Sequence, residues 1–305
     1  MNETTPAVSD RQPRGRKRLN RSRLLIVGCG DVGGRIVALA RGRLRVIALT
    51  SNPARVPALR AAGVVPIVGN LDDRRSLRRM GAFGARVIHL APPPEAGSTD
   101  PRTRHLLAAL RACGRLVYIS TSGVYGDCGG AWLDETARPM PLNDRAYRRL
   151  DAERRMRAAG ACVLRVPGIY AHDRLPLARL RAGLPALAPE DDMHTNHIHA
   201  DDLAHITLAA LFRGKPARVY HAVDDSQLKM GEYFDLVADA HALPHPPRLP
   251  REQLRAAVSP MMYSFMAESR RLRNTRLKRE LRVRLRWPTV RTALERSPDE
   301  GARAP

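Results

Sequence analysis

Cysteine is scarce in this sequence, and its spacing excludes two architectures at once. Cys29, Cys113, Cys128 and Cys162 stand far apart and form no C-x-x-C pair, so neither a zinc knuckle nor a disulfide framework is indicated. Reduced, mostly buried thiols are expected. Long apolar runs are missing as well: none reaches the length of a membrane span, and the basic segment MNETTPAVSDRQPRGRKRLNRSR is followed by no apolar core of a signal peptide. A cytoplasmic protein without membrane contact is the expectation. Lysine is nearly absent too. Only Lys17, Lys215, Lys229 and Lys278 occur, so arginine carries almost all of the formal net charge of +22. A field of that size attracts nucleic acid and acidic surfaces without any specific site. Seven of residues 11–23 are Arg or Lys, and Arg248 to Arg291 holds thirteen against three acids. No recognisable docking element for base reading accompanies them. Nonspecific nucleic-acid contact is therefore the most the charge implies, and the arginine- and alanine-rich usage reads equally well as a compositional bias.

What is present suffices for a large core. Across 305 residues, 44% of them hydrophobic, short apolar runs at 24–27, 44–49, 64–68, 86–90 and 116–120 alternate with helical patterns. The helices are expected from the first glycine loop to about Arg41, near 57–62, at 74–80 and at 103–113. Strands this short, separated by helices and without hairpin signals, predict an α/β fold: a doubly wound parallel Rossmann sheet covered on both faces. The expected organisation is a disordered basic tail at 1–22, a dinucleotide-binding domain at 23–164, a smaller carboxyl-terminal substrate lobe at 165–296 and a second tail at 297–305. Beyond Val166 the regularity fades, and prolines cluster at Pro244, Pro246, Pro247 and Pro250. In the arginine-rich stretch Ser269 to Trp287, the leucines 272, 277, 281 and 285 could line one face of a helix, with the arginines on the wet side.

The segment LLIVGCGDVGGRI, residues 24 to 36, carries the first chemical signal. An apolar run enters a loop with Gly28, Gly30 and Gly33, and an apolar helix pattern leaves it. That spacing suits a dinucleotide pyrophosphate: one glycine for the turn, one for close backbone approach, one for helix–strand packing. Asp31 and Val32 stand between the glycines, where backbone N–H groups face the phosphates. About twenty residues on, an NAD site would present an acid to the ribose 2′-hydroxyl. Here the second strand ends in Thr50, Ser51 and Asn52, followed by Arg55. No carboxylate repels a 2′-phosphate, so NADP(H) is favoured over NAD(H). The plainer alternative makes Ser51 or Asn52 a helix cap.

Taken in order, several segments resemble the extended and atypical short-chain dehydrogenase/reductases, over roughly Leu24 to Trp287. Gly69-Asn70-Leu71 is similar to the family's Gly-Asp-Leu, and the resemblance implies that Asn70 and Leu71 hold the adenine. His89-Leu90-Ala91 resembles the strand end lining the cofactor, with Pro92 next to it. STSGVYG at 120–126 resembles the segment carrying a substrate-binding hydroxyl, here Thr121. RVPGIY at 165–170 resembles the loop near the nicotinamide, which brings in Pro167. HIHADDL at 197–203 is similar to a signature of the substrate lobe.

The same resemblance implies a tyrosine acid/base and a lysine four residues later. In register, those positions hold Arg145 and Arg149, and a guanidinium cannot shuttle a proton. Tyr147 is two residues away, nearly opposite on the helix. Thr121, Tyr147 and Arg149 are the candidate catalytic residues, with Tyr125 or water as other proton donors. His194, His197, His199, Asp201, Asp202 and His205 have metal-ligand chemistry, but the resemblance makes His199 and Asp202 structural, and no metal site is expected. The functional expectation is an NADP(H)-binding oxidoreductase or epimerase/dehydratase-like protein acting on an unidentified small molecule. A noncatalytic NADP(H)-binding redox sensor is the alternative, and nucleic-acid binding through the basic tails is a third.

Overall fold

The computed structural model describes residues 22–83, 86–110 and 113–296. Except for Ser22, both expected tails lie outside the described residues. Seven strands form one sheet: β1 (Arg23–Val27), β2 (Arg45–Thr50), β3 (Val65–Val68), β4 (Arg86–His89), β5 (Arg115–Thr121), β6 (Cys162–Val166) and β7 (Val219–His221). Their order is β3-β2-β1-β4-β5-β6-β7, and every neighbouring pair is parallel. The chain builds outward from β1 through β3, then returns to the other side of β1 for β4. The winding therefore reverses between β1 and β4, and the crevice beyond their carboxyl ends is where such sheets bind ligands.

Strand alternation divides the core into two layers. Leu24 and Ile26 face one side with Ile88, Val117 and Leu164, covered by α1 (Asp31–Ala40). Leu25 and Val27 face the other with Val87, Tyr118 and Val163, covered by α3 (Pro101–Ala109) and α4 (Asp144–Ala158). A short α2 (Val56–Ala61) links β2 to β3. All of 24–27 is fully buried, as a central strand covered on both faces must be.

Several expected elements differ in ways that have local causes. Residues 74–80 form no α-helix but two 3₁₀ turns, Arg74–Leu77 and Met80–Ala82. Their buried anchors Leu77 and Met80 are three residues apart, the spacing a 3₁₀ turn superposes. Helix α3 begins at Pro101, two residues early, because Asp100 caps it through Thr103 N–H (3.3 Å) and proline is well suited to the first position. The leucines of the arginine-rich stretch do not share one helix. Leu272 lies in a two-residue strand, Arg271–Leu272, paired with Trp132–Leu133, while only Leu277 and Leu281 belong to the helix Thr275–Leu281. That helix ends at Arg282 in the left-handed region, φ 50°, and Leu285 packs from the following loop.

The sheet and its covering helices draw on residues from both sides of position 164. Strand β6 runs through it to Val166, β7 comes from far beyond it, and α5 (Ala200–Arg213) packs against α1. Beyond these, Tyr170, Leu187, Tyr233, Phe234, Val237 and Trp287 form a separate apolar cluster in the smaller lobe. Among the described residues no helix is long and apolar enough to cross a membrane. The four thiols are free, and burial pushes Cys113 up to about 11 and Cys162 up to about 12.

Candidate functional site

The turn between β1 and α1 is built around one obligatory glycine. Gly28 has φ +84°, and a Cβ there would stand 2.6 Å from the backbone nitrogen of Ala91. The chain after β4 approaches because Leu90 N–H and Ala91 N–H both donate to Val27 O, at 2.8 and 3.1 Å. At Gly33 a Cβ would meet Cys29 Sγ at 3.2 Å and Leu90 Cδ1 at 3.4 Å, which is helix–strand packing. Gly30 differs, because a Cβ there would meet nothing within 4 Å. Gly34 N–H makes the first helical bond, to Gly30 O, so the N–H groups of Asp31, Val32 and Gly33 have no carbonyl one turn back to bind. Open space, free donors and the positive end of a ten-residue helix fit a pyrophosphate.

These residues line a cleft of ≈ 310 Å³ that also takes in Leu90, Ser120, Thr121, Arg149, Pro167 and Arg174. Arg174 carried no sequence signal. Its Nη1 lies 2.6 Å from Asp31 Oδ2. Arg35 binds Asp31 (3.2 Å), Asp173 (2.8 Å) and Asp201 (2.6 Å), tying α1 to the first turn of α5. Burial raises the Asp31 pKa, but the hydrogen bonds and charges of Arg174 and Arg35 outweigh it and hold the carboxyl below its usual range. The Asp31 carboxylate beside the phosphate loop is thereby kept ionised, with its charge balanced by two arginines.

On the adenosine side, the helix-cap alternative holds for Asn52, whose Oδ1 accepts from Ala54 N–H at 2.9 Å. Thr50 Oγ1 is engaged with the Asn52 backbone at 3.2 and 3.3 Å. Ser51 and Arg55 are exposed, and the Arg55 charge reaches Cys29 in the glycine loop, lowering a thiol pKa that burial raises more strongly. Asn70 is exposed, with Oδ1 accepting from Asp72 N–H at 3.0 Å. The Leu71 side chain is buried in the core, so only its backbone faces outward. Pro92 is exposed and absent from the cleft lining; its carbonyl accepts from Arg102 Nη1 at 3.3 Å.

On the reacting side, Thr121 ends β5, and its Oγ1 accepts from Gly123 N–H at 3.2 Å. The hydroxyl hydrogen remains available to a ligand. Arg149 reaches the same cleft from α4, with Nη1 donating to Ile119 O (3.1 Å) and Tyr118 Oη (3.3 Å). Tyr147 does not join them: two residues from Arg149 on a helix, it projects from another face and is 49% exposed. Tyr125 is excluded for the opposite reason. It is wholly buried, accepts from Arg165 Nη1 and contacts His221 Nε2, each at 2.6 Å, and burial pushes its pKa up to about 12. His221 Nδ1 faces Arg273 O at 3.0 Å, so it carries the proton and Nε2 accepts from the phenol.

The histidine-rich segment is an anchoring device. His199 Nδ1 accepts from Asp201 N–H (3.2 Å) and caps α5, while Asp202 accepts from Arg286 N–H and Trp287 N–H, both at 2.9 Å. His197 lies against Tyr233 and His199 against Trp287, with ring centroids 4.3 and 4.9 Å apart. Among the described residues no group of three or more His, Cys, Asp or Glu could hold a metal ion. Burial drives His89, His197 and His221 down to about 3. An unfolded histidine titrates at ~6.5, so these groups add stability above that value, and it is lost progressively as pH falls toward 3. Acid titration followed by far-UV circular dichroism is expected to show unfolding within that window. His197→Phe moves the midpoint to lower pH; an unchanged midpoint contradicts the account.

A parallel sheet in this order, with a glycine turn and an open helix start at its switch point, defines a dinucleotide-binding Rossmann protein. The chain belongs to the NAD(P)H-binding family, whose model matches residues 28–213. Among solved structures, a conserved protein of unknown function from Silicibacter pomeroyi is 31% identical with a TM-score of 0.76, the match covering 90% of this chain and 97% of that one. Two more distant structures share the fold. The UDP-glucuronic acid 4-epimerase of Bacillus cereus, in complex with NAD, is 17% identical with a TM-score of 0.69, covering 92% of this chain and 98% of that one. The dTDP-glucose 4,6-dehydratase of Streptomyces venezuelae, with NAD and TYD bound, is 20% identical with a TM-score of 0.69, covering 92% and 94%. No curated protein sequence matches the chain.

Proposed function

We propose that the protein is an NADP(H)-dependent oxidoreductase of epimerase/dehydratase type, acting on a small molecule held between the sheet and the carboxyl-terminal lobe. The observation that carries this reading is the shared cleft: the glycine loop, Thr121 and Arg149 line one cavity, so a bound dinucleotide and a substrate oxygen meet there. Arg55 and the absence of an acid at the end of β2 favour the 2′-phosphorylated coenzyme. The nicotinamide, when bound, supplies or accepts a hydride. Thr121 donates its free hydroxyl hydrogen to the substrate oxygen, and Arg149 stabilises negative charge as it develops there. Neither delivers a proton from a group titrating near neutrality, so the proton comes from water in the open cleft.

NADPH oxidation against a panel of carbonyl compounds tests this. Thr121→Val is expected to lower kcat/KM by roughly 10²-fold or more, the scale of one oxyanion donor, with Tyr147→Phe unchanged. Arg55→Glu is expected to reverse the preference from NADPH to NADH. The absence of a tyrosine or histidine from the cleft lining favours one second reading, a noncatalytic NADP(H) sensor. Tight coenzyme binding without turnover on any substrate would select it.

A further inference from the structure

Three arginines of α4 lie near one another, one of them in the cleft lining, with no carboxylate paired to them among the described residues. Arg149 lines the cleft beside Thr121. Its Nη1 serves two protein acceptors, and among the described residues its other guanidinium N–H groups have none. Arg145, one turn earlier on the same face of α4, has its guanidinium 4.2 Å from the centre of the Phe265 ring. Arg148 is buried and donates to Gly97 O at 2.6 Å. Among the described residues no carboxylate lies within 4.0 Å of any of the three. The nearby acid Glu268 is bound by Arg270 at 2.8 Å. Partial burial lowers the Arg145 pKa, and the Arg149 and Arg148 charges lower it further, against the pull of Glu268.

Several other partly buried arginines, Arg35, Arg102, Arg218 and Arg248, have a carboxylate partner, as does the fully buried Arg165; Arg179, which has none, lies over the Phe234 ring instead. A charge taken from water without a partner is costly, and repulsion among three adds to that cost. A bound anion removes both penalties. Guanidinium forks also match the geometry of carboxylates and phosphates.

We infer that the substrate of this cleft carries an oxyanion, a carboxylate or a phosphate, bound by Arg149 and Arg145 next to Thr121. The inference rests on the proposed function only for the word substrate; the anion site itself needs no coenzyme. In this arrangement the positions that hold a tyrosine and a lysine in the resembled family select charge in the ligand instead of moving a proton.

Calorimetric titration of the full-length protein tests the site, with and without NADPH, using succinate, inorganic phosphate and uncharged succinamide as probes. Saturable binding of succinate or phosphate but not succinamide is expected, weakening as salt rises. The stronger of the two anions identifies the group. Arg149→Gln with Arg145→Gln is expected to weaken that binding by roughly tenfold or more, while the melting temperature in buffer stays near that of the parent. Arg75→Gln with Arg78→Gln, which alters a second surface cleft lined by Arg74, Arg75 and Arg78, is expected to leave it unchanged. Equal binding of succinamide, loss of binding in the Arg75/Arg78 variant, or parental affinity in the Arg145/Arg149 variant overturns the proposal. Failure of NADPH to bind while the anion still does removes the proposed function and leaves this site standing.

Discussion

Gly28→Ala is expected to destabilise the whole nucleotide-binding layer, whereas Gly30→Ala leaves stability intact and removes coenzyme affinity. The two glycines are two residues apart and serve different physical ends. At Gly28 the φ of +84° costs an alanine ~1–2 kcal/mol. The added methyl meets Ala91 N at 2.6 Å, Ala91 Cα at 2.8 Å and Ala91 Cβ at 2.9 Å. Backbone cannot rotate away as a side chain can, and Ala91 N–H is itself bonded to Val27 O, so β1 and β4 must part. With an overpacking cost of ~1–3 kcal/mol, the melting temperature should fall on the order of 10 °C. At Gly30, with nothing within 4 Å and φ −80°, an alanine strains nothing in the protein. Its methyl instead fills the space in front of the Asp31–Gly33 N–H groups, and NADPH affinity should drop roughly 10- to 100-fold. Scanning calorimetry and NADPH titration of both variants separate the effects. A Gly30→Ala protein that binds NADPH like the parent would deny that the pyrophosphate lies there.

The second large effect lies beneath the cleft. Arg165 on β6 and Glu153 on α4 form a two-point ion pair, Nη2–Oε1 2.5 Å and Nε–Oε2 3.1 Å, with side chains only 2% and 1% exposed. Ser120 Oγ donates to the same carboxylate at 3.1 Å, and Arg165 Nη1 reaches Tyr125 and through it His221 on β7. Glu135 completes the chain by accepting from His221 N–H at 3.1 Å. The network joins α4, β5, β6 and β7, the part of the sheet farthest from local sequence control. Glu153→Gln leaves a buried guanidinium without its counter-charge, and a loss of ~3–5 kcal/mol is expected. Replacing both partners by apolar residues, Glu153→Leu with Arg165→Met, should recover much of it, because the desolvation cost of both charges disappears. Urea unfolding of the two single variants and the double variant forms the cycle. A Glu153→Gln variant within ~0.5 kcal/mol of the parent would mean that the pair is not dry.

How far the site could be read from the sequence depended on how local each part was. The phosphate loop was legible because its geometry is set within six residues: a strand end, a left-handed glycine and a helix start. NADP(H) preference was legible only as a pattern, since Asn52 spends its oxygen on Ala54 and leaves Ser51 and Arg55 facing out. The arginines at 145 and 149 were visible as replacements. Their convergence with Phe265 and Thr121 was not, because it needs a helix from one lobe and a short helix, Pro260–Met266, from the other. Arg174 was invisible, since nothing in HDR marks an arginine that reaches Asp31 across 143 residues.

By itself the sequence determined the parallel sheet, the places of its first five strands along the chain and the glycine turn, because apolar periodicity and glycine placement act over a few neighbours. Only the tertiary structure decided that β7 closes the sheet edge, that α5 covers one face, and that Arg149 looks into the cleft, which leaves Tyr147 outside it. Those outcomes follow from packing between residues far apart in the chain, where the free energy belongs to the pair and neither local pattern records it.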